Sequence, residues 1–414
     1  MHVRGEDRLS LRKLWVLLLN AFLDMLGYAM VFPLLPIYAV RLDADAALIG
    51  LMVASFSVAQ VAASPLWGRM SDRLGRRPAL MVSLFGSALA FFIFAYADSI
   101  AMLFLCRIVQ GASGGTTGVM QAYVGDSVPP QDRAKALGWL SAATNSGVMI
   151  GPALGSAVWV FGARIPGLLA ASLCLLNLVF AFFLLPESRK PDGDALGAGR
   201  RRPIRAMFWE TVRHPGRETS ELIVIYAVAM TAFSSMTAVL ALYLMHRFAI
   251  DESNIGYIFP LLGAVSVAMR AGVLGSLVMR FGEVRLMRAG ALLLAVGLFC
   301  LPVPSHVALF VPVMLLMPIG TALLFPATSA LLSQRCEKNE LGQVMGVQQA
   351  FGGLARIFGP IWAGAAFGRF GPAVPFEVAG VVVFLVSLLA ARVRPESREY
   401  GVVTAPPASE TGEG

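Results

Sequence analysis

The chain has 414 residues, of which 57% are hydrophobic and 14% charged, with a mean hydropathy of +0.72. Water-soluble domains carry roughly 25% charged residues, and here apolar runs of about 20 residues, the length that crosses a bilayer as a helix, recur along the sequence; a soluble globular fold is excluded. The formal net charge of +8 marks topology and not a nucleic-acid partner, because Lys and Arg crowd the termini and alternate loops, leaving Arg41, Arg164, Arg247 and Arg369 in the opposite loops and Arg107, Arg270 and Arg356 inside spans.

Basic loops stay on the cytoplasmic side, so both termini are expected in the cytoplasm and the chain in the lipid bilayer of the inner (plasma) membrane. The basic start (Arg4, Arg8, Arg12, Lys13) leads into an apolar run, 15–40, that is too long for a signal peptide and holds Asp24, Pro33 and Pro36. It reads as a retained first span. At 1.5 Å per residue Asp24 lies about 14 Å deep, near the midplane. A charged group there costs about 2.5–3.5 kcal/mol, so this carboxyl must be protonated, paired or hydrated. It is the candidate proton carrier; the bland alternative is a fixed ion pair that orients the helix.

Eleven more spans are expected at 47–70, 79–97, 101–125, 135–161, 165–186, 221–245, 254–279, 287–303, 306–333, 343–367 and 373–392. In the fourth, Arg107, Gln110, Gly114, Thr117 and Gln121 follow at spacings of three and four. A polar stripe on a spanning helix faces a cavity rather than lipid, and Arg107 is expected to neutralise Asp24 across it. In the fifth, Gly147, Gly151 and Gly155 share one face, as close helix packing requires. Asn20, Tyr28, Gln60, Asn145, Tyr226, Ser234, Gln348 and Gln349 are further candidates for a substrate cavity. Arg270 and Arg356 either pair with Asp24 and Glu377 or hold an anionic group of a substrate; Arg356, three residues before Gly359-Pro360, has packing and hydrogen bonding as a further alternative.

These spans give an all-α membrane protein with an N-terminal six-helix bundle (1–186), a polar linker (187–220), a C-terminal six-helix bundle (221–395) and a disordered tail (396–414). Within the Arg-rich linker, Ile204, Met207, Phe208 and Val212 recur at helical spacing, which predicts a short amphipathic helix on the membrane face. The halves repeat: Gly68-Arg-Met-Ser-Asp72-Arg73-Leu-Gly75 aligns with Gly275-Ser-Leu-Val-Met279-Arg280-Phe-Gly282, and Gly151-Pro152 with Gly359-Pro360. A six-plus-six duplication marks a secondary transporter whose halves rock about a central site.

Other chemistries find no support in the sequence. None of the four lysines precedes Ser or Thr, so there is no phosphate-cradling Gly-Lys-Ser/Thr loop. The four histidines and Cys106, Cys174, Cys300 and Cys336 lack ligand spacing. No cofactor, metal or enzymatic activity is expected.

The loop Gly68-Arg-Met-Ser-Asp-Arg-Leu-Gly-Arg-Arg-Pro-Ala-Leu80 resembles the G-x-x-x-D-R-x-G-R-R signature of the major facilitator superfamily. Arg107-Ile-Val-Gln110-Gly111 is similar to that family's R-x-x-Q-G element. Gly147-Val-Met-Ile-Gly151-Pro152-Ala-Leu-Gly155 is similar to its antiporter element, and the first five spans resemble tetracycline–proton and multidrug–proton antiporters. The resemblance implies two pseudo-symmetric bundles of six helices and export of a small amphipathic organic compound driven by the proton gradient, in a functional monomer. Proton-coupled uptake of a small, possibly anionic metabolite and a non-transporting receptor are the alternatives. It also implies that Gly68, Asp72, Arg73, Gly75, Arg76, Arg77 and Asp126 form a latch between the halves, with Asp72 meeting the start of the eleventh helix and Arg76 pairing with Asp126. Met279 in place of the second acid leaves the other copy a weak latch. Span nine lacks the acidic residue that some tetracycline exporters carry, which points away from tetracycline itself.

Overall fold

A computed structural model describes residues 3–129, 132–188, 204–214, 216–336 and 340–393. The tail 396–414 and linker residues 189–203 and 215 lie outside them. The described residues form sixteen α-helices and one π-helical turn, which assemble into twelve rods and one short linker helix. The first half comprises α1 (Val3–Val31) with α2 (Leu34–Arg41), α3 (Ala46–Leu74), α4 (Arg76–Ala95), α5 (Ile100–Ala112) with α6 (Thr116–Ser127), α7 (Arg133–Trp159) and α8 (Ile165–Leu184). The linker helix is α9 (Ile204–Arg213). The second half comprises α10 (Glu218–Phe248), α11 (Glu252–Ala268) continued through the π-turn Met269–Val273 into α12 (Leu274–Phe281), α13 (Glu283–Cys300), α14 (Val307–Gln334), α15 (Leu341–Phe370) and α16 (Val374–Ala390).

Eight rods are long and apolar enough to cross a membrane. The 18 residues of α13 include Glu283, Arg285 and Arg288, and α16 has 17 residues, so both miss that description on charge or length alone. Three rods expected as single spans are interrupted, one of them by the π-turn Met269–Val273. Pro33, which has no N–H to give, separates α1 from α2, and Ser113-Gly114-Gly115 separates α5 from α6. In the linker, α9 lies against α10 and α15, with Phe208 stacked on Phe351 at 4.6 Å.

The two halves meet through a pair of matching contacts. In each, a glycine of the Gly-Pro element packs on the first helix of its own half, and the proline carbonyl abuts a glycine of the other half. A Cβ at Gly151 would stand 2.8 Å from Ala29 Cβ and 2.9 Å from the Met30 nitrogen of α1; a Cβ at Gly359 would stand 2.8 Å from the Thr231 carbonyl oxygen of α10. Pro152 O lies against Gly256 of α11, and Pro360 O against Gly50 of α3. Ser156 Oγ accepts from Gly256 N at 2.9 Å, tying α7 to α11, and Gly364 sits against Ala46 and Gly50. Backbones this close require glycine. All these contacts lie toward the face opposite the Arg-rich loops, where the halves are sealed.

The methyl group of Gly151→Ala has no room, and overpacking costs about 1–3 kcal/mol. A Cβ at Gly138 of the same helix meets no atom within 4 Å, and Gly→Ala inside a helix gains up to about 1 kcal/mol. Thermal unfolding in detergent is therefore expected to show a lowered midpoint for G151A and an unchanged or raised one for G138A.

Candidate functional site: a chamber open at the basic face

The break in span four positions much of the site. Where a helix is interrupted, carbonyls lose their partners, and in hydrocarbon no water replaces them. Here three consecutive carbonyls are each met by a side chain. Trp67 Nε1 donates to Ala112 O at 2.6 Å, Ser83 Oγ donates to Ser113 O, and Gln60 Nε2 donates to Gly114 O at 3.4 Å. The Trp67 ring occupies the space that a side chain at position 115 would fill, so glycine is required there.

Helix α6 restarts at Thr116, whose hydroxyl donates to Asp24 Oδ2 at 2.9 Å. Asp24 is 5% exposed and adjoins a small void lined by Thr117, Met120, Leu140 and Thr144. The first turn of α6 carries the positive end of a helix dipole, so the carboxyl faces both a hydroxyl and a favourable field. Arg107 does not reach it. The guanidinium is 1% exposed, donates to Gln110 Oε1 and lies 4.4 Å from the centroid of the Phe56 ring. The expected Asp24–Arg107 pair is absent because the break separates them: Arg107 belongs to α5, above the interruption, and Asp24 meets the helix that starts below it. Gln110 is correspondingly a buried partner of Arg107 and not a cavity residue.

A central cavity of about 370 Å³ lies between the halves. Tyr28, Phe32, Phe233, Phe259 and Phe325 supply aromatic wall, and Asn145, Thr237, Thr321 and Arg270 the polar groups. Toward the basic loops a vestibule of about 810 Å³ runs from Gln60, Gly114 and Arg356 to Gly68, Asp72 and Arg76. The chamber is thus open at the basic face and closed at the other. Among the remaining candidates, Asn20, Ser234 and Gln348 are corrected to packing positions. Asn20 is fully buried, its side-chain amide donating to Val16 O and its backbone carbonyl accepting from Asn177 Nδ2. Ser234 backs onto Gly359, and Gln348 bonds Ser329 of α14. Tyr226 is 6% exposed behind Phe325, at a ring separation of 5.2 Å. Gln121 is exposed on α6 and lines neither large cavity, since the break rotates it out of the stripe that continuous helical spacing implied.

In the loop at 68–80, Arg76 binds Asp126 Oδ2, Asp72 Oδ1 and Ser71 Oγ, each at 2.8 Å. Asp72 therefore meets Arg76 and not the start of α15, which stands across the open vestibule. Arg77 donates to Phe182 O and lies over that residue's ring, while Arg73 is exposed. Glu187, which no motif singled out, accepts from the backbone N–H groups of Arg76 and Arg77 at 2.9 and 3.1 Å and so caps α4. Gly75 at φ +106° admits that carboxylate, where a side chain would collide with it. The repeat places Gly282, φ +76°, at the matching start of α13, with Met279 76% exposed beside it.

The major facilitator superfamily model matches residues 17–278 and 222–410. The tetracycline resistance protein, class C, of Escherichia coli is 31% identical over 356 residues, covering 84% of this chain and 87% of that protein. Multidrug resistance protein 1 of Bacillus subtilis (strain 168) is 31% identical over 359 residues, covering 86% and 89%. The crystal structure of the nucleoside transporter NupG shares the fold, with a TM-score of 0.75 over 94% of this chain and all of that one, at 14% identity. Its twelve helical rods, signature loop and relatives together make this chain a member of the major facilitator superfamily, a multi-pass inner-membrane transporter and not an enzyme.

Proposed function

We propose that this chain exports small amphipathic organic compounds in exchange for protons, by alternating access, as a monomer with its Arg-rich loops and both termini in the cytoplasm. The observation that carries the reading is the buried carboxyl of Asp24, held by Thr116 where span four breaks and adjoining a small void, in a fold whose vestibule opens to one face. The positive-inside distribution makes that open face cytoplasmic. The names of the relatives, tetracycline and multidrug resistance proteins, favour efflux.

In the proposed cycle a compound enters the vestibule from the cytoplasm and settles against the aromatic wall as Asp24 gives its proton to the same side. The Thr116 hydroxyl and the first turn of α6 face that carboxyl. The halves then rock: the Gly50–Pro360 and Gly256–Pro152 contacts part, and the Gly68–Asp72 loop closes on α15. Release outward is followed by protonation from outside, and the neutral acid fits its dry surroundings when the chamber returns. Arg107, one break away, is the cation that a shift of the α5–α6 junction brings toward the ionised acid.

Three outcomes are expected. Asp24→Asn, inserted at the wild-type level in an efflux-deficient bacterium, loses the protection that the wild type gives across a growth-inhibition panel; undiminished protection removes Asp24 from the mechanism. Ala46 Cβ lies 3.8 Å from the Cβ position at Gly368, the mean separation across a disulfide, about 3.8 Å. Oxidised A46C/G368C, in a background with Cys336→Ser, is then locked shut at the outer face and inactive until reduced; full activity after verified cross-linking contradicts the opening of that seal. Gly68 has no neighbour within 4 Å in this open state, so Gly68→Leu retains substrate affinity and loses turnover; an affinity defect with normal turnover contradicts closure at this loop.

A further inference from the structure

We infer that the preferred substrates are organic anions, with an aromatic or apolar body in the central cavity and the charged group received by Arg270 and Arg356 on either side of Tyr226. The direction of transport rests on the export reading above; the binding preference does not.

Arg270 and Arg356 lie inside spans, and among the described residues neither forms an ion pair or hydrogen bond. Arg270 projects from the π-turn of the interrupted eighth rod and lines the central cavity. Arg356 lines the vestibule one level below. Tyr226 is the element between them. Its ring packs on Gly352, with Cε1, the hydroxyl and Arg356 Nη1 at 3.1, 3.5 and 3.8 Å from the Cβ position there, so the phenol sits beside that guanidinium and within electrostatic reach of both.

No described acid answers these two charges. Asp24 is engaged by Thr116 in the other half, Asp72 and Asp126 are engaged by Arg76 at the basic face, and Glu377 is exposed in the first turn of α16 toward the sealed face. A cation entering the chamber meets fixed positive charge. A carboxylate or sulfonate meets planar donor forks suited to bidentate binding, with Phe32, Phe233, Phe259 and Phe325 ready to cover its ring. Of the readings that the sequence left for these arginines, pairing with Asp24 or Glu377 is not found among the described residues, and the cavity linings favour an anionic group of the substrate.

The test is equilibrium binding to purified full-length protein in neutral detergent, with no gradient. The probes are 2-naphthalenesulfonate and the similarly sized 2-naphthyltrimethylammonium. The wild type is expected to bind the sulfonate at least about tenfold more tightly, the ratio that a hydrogen bond to a charged group brings. R270Q and R356Q each reduce that preference, R270Q/R356Q abolishes it, and R270K/R356K retains part of it. Equal or tighter binding of the cation by the wild type, no binding of the sulfonate, or sulfonate affinity unchanged in both folded single variants overturns the inference. Such a failure leaves the Asp24→Asn phenotype standing, and loss of that phenotype leaves the anion preference standing, so the two readings fall separately.

Discussion

Hydrocarbon gives no water to a backbone carbonyl whose helix has been broken, and the first half of this protein is arranged around that constraint. At the α5–α6 interruption three consecutive carbonyls are met by Trp67, Ser83 and Gln60 reaching across from α3 and α4, with Ser113 O also accepting from Gly115 N. Those bonds fix where α6 restarts, and with it the Thr116 hydroxyl that holds Asp24. The acid's setting is therefore inherited from the break. A site built on interrupted backbone has a second property: its helix ends have more than one arrangement available at modest cost, which an unbroken helix lacks.

The duplication provides the frame, and departures from it provide the chemistry. Both halves place a glycine against their own first helix and a proline carbonyl against the other half's second rod, so the seal is a pair of equivalent contacts that can part together. The charges are unequal: the buried acid stands in the first half and two unanswered arginines in the second. That separation lets proton and substrate act on different elements of one chamber. If an anion leaves as a proton enters, both movements carry charge in the same electrical sense, and each elementary charge adds about 2.3 kcal/mol of drive per 100 mV.

Much of this was legible in the sequence because it depends on features local to the chain. Apolar length located the rods, the Gly-Pro spacing identified the close-packed faces, and Asp24 stood out as a charge where none is tolerated without a function. What was not legible depends on phase and on distant partners. Helical counting carried straight through Ser113-Gly114-Gly115, so it chose Thr117 and Gln121 where the restarted helix offers Thr116, and it joined Arg107 to an acid on the far side of the break. Asn20, Ser234 and Gln348 are polar within spans, but polarity alone does not tell a cavity wall from an interhelical bond. Glu187 sits in an unremarkable stretch, and its role follows only from the fold that brings it to the start of α4. The doubled glycine at 114–115 was the available signal for the break, since consecutive glycines disfavour a helix.

The central claim is that a buried acid changes protonation as the chamber alternates between faces. The most direct measurement reconstitutes the purified protein in vesicles with a pH-reporting dye in the lumen and follows substrate and proton movement together under an imposed pH gradient. The account predicts opposed fluxes, with substrate accumulating against its own gradient as the pH gradient dissipates. Substrate movement that is indifferent to the pH gradient, with no accompanying change in lumenal pH, contradicts it.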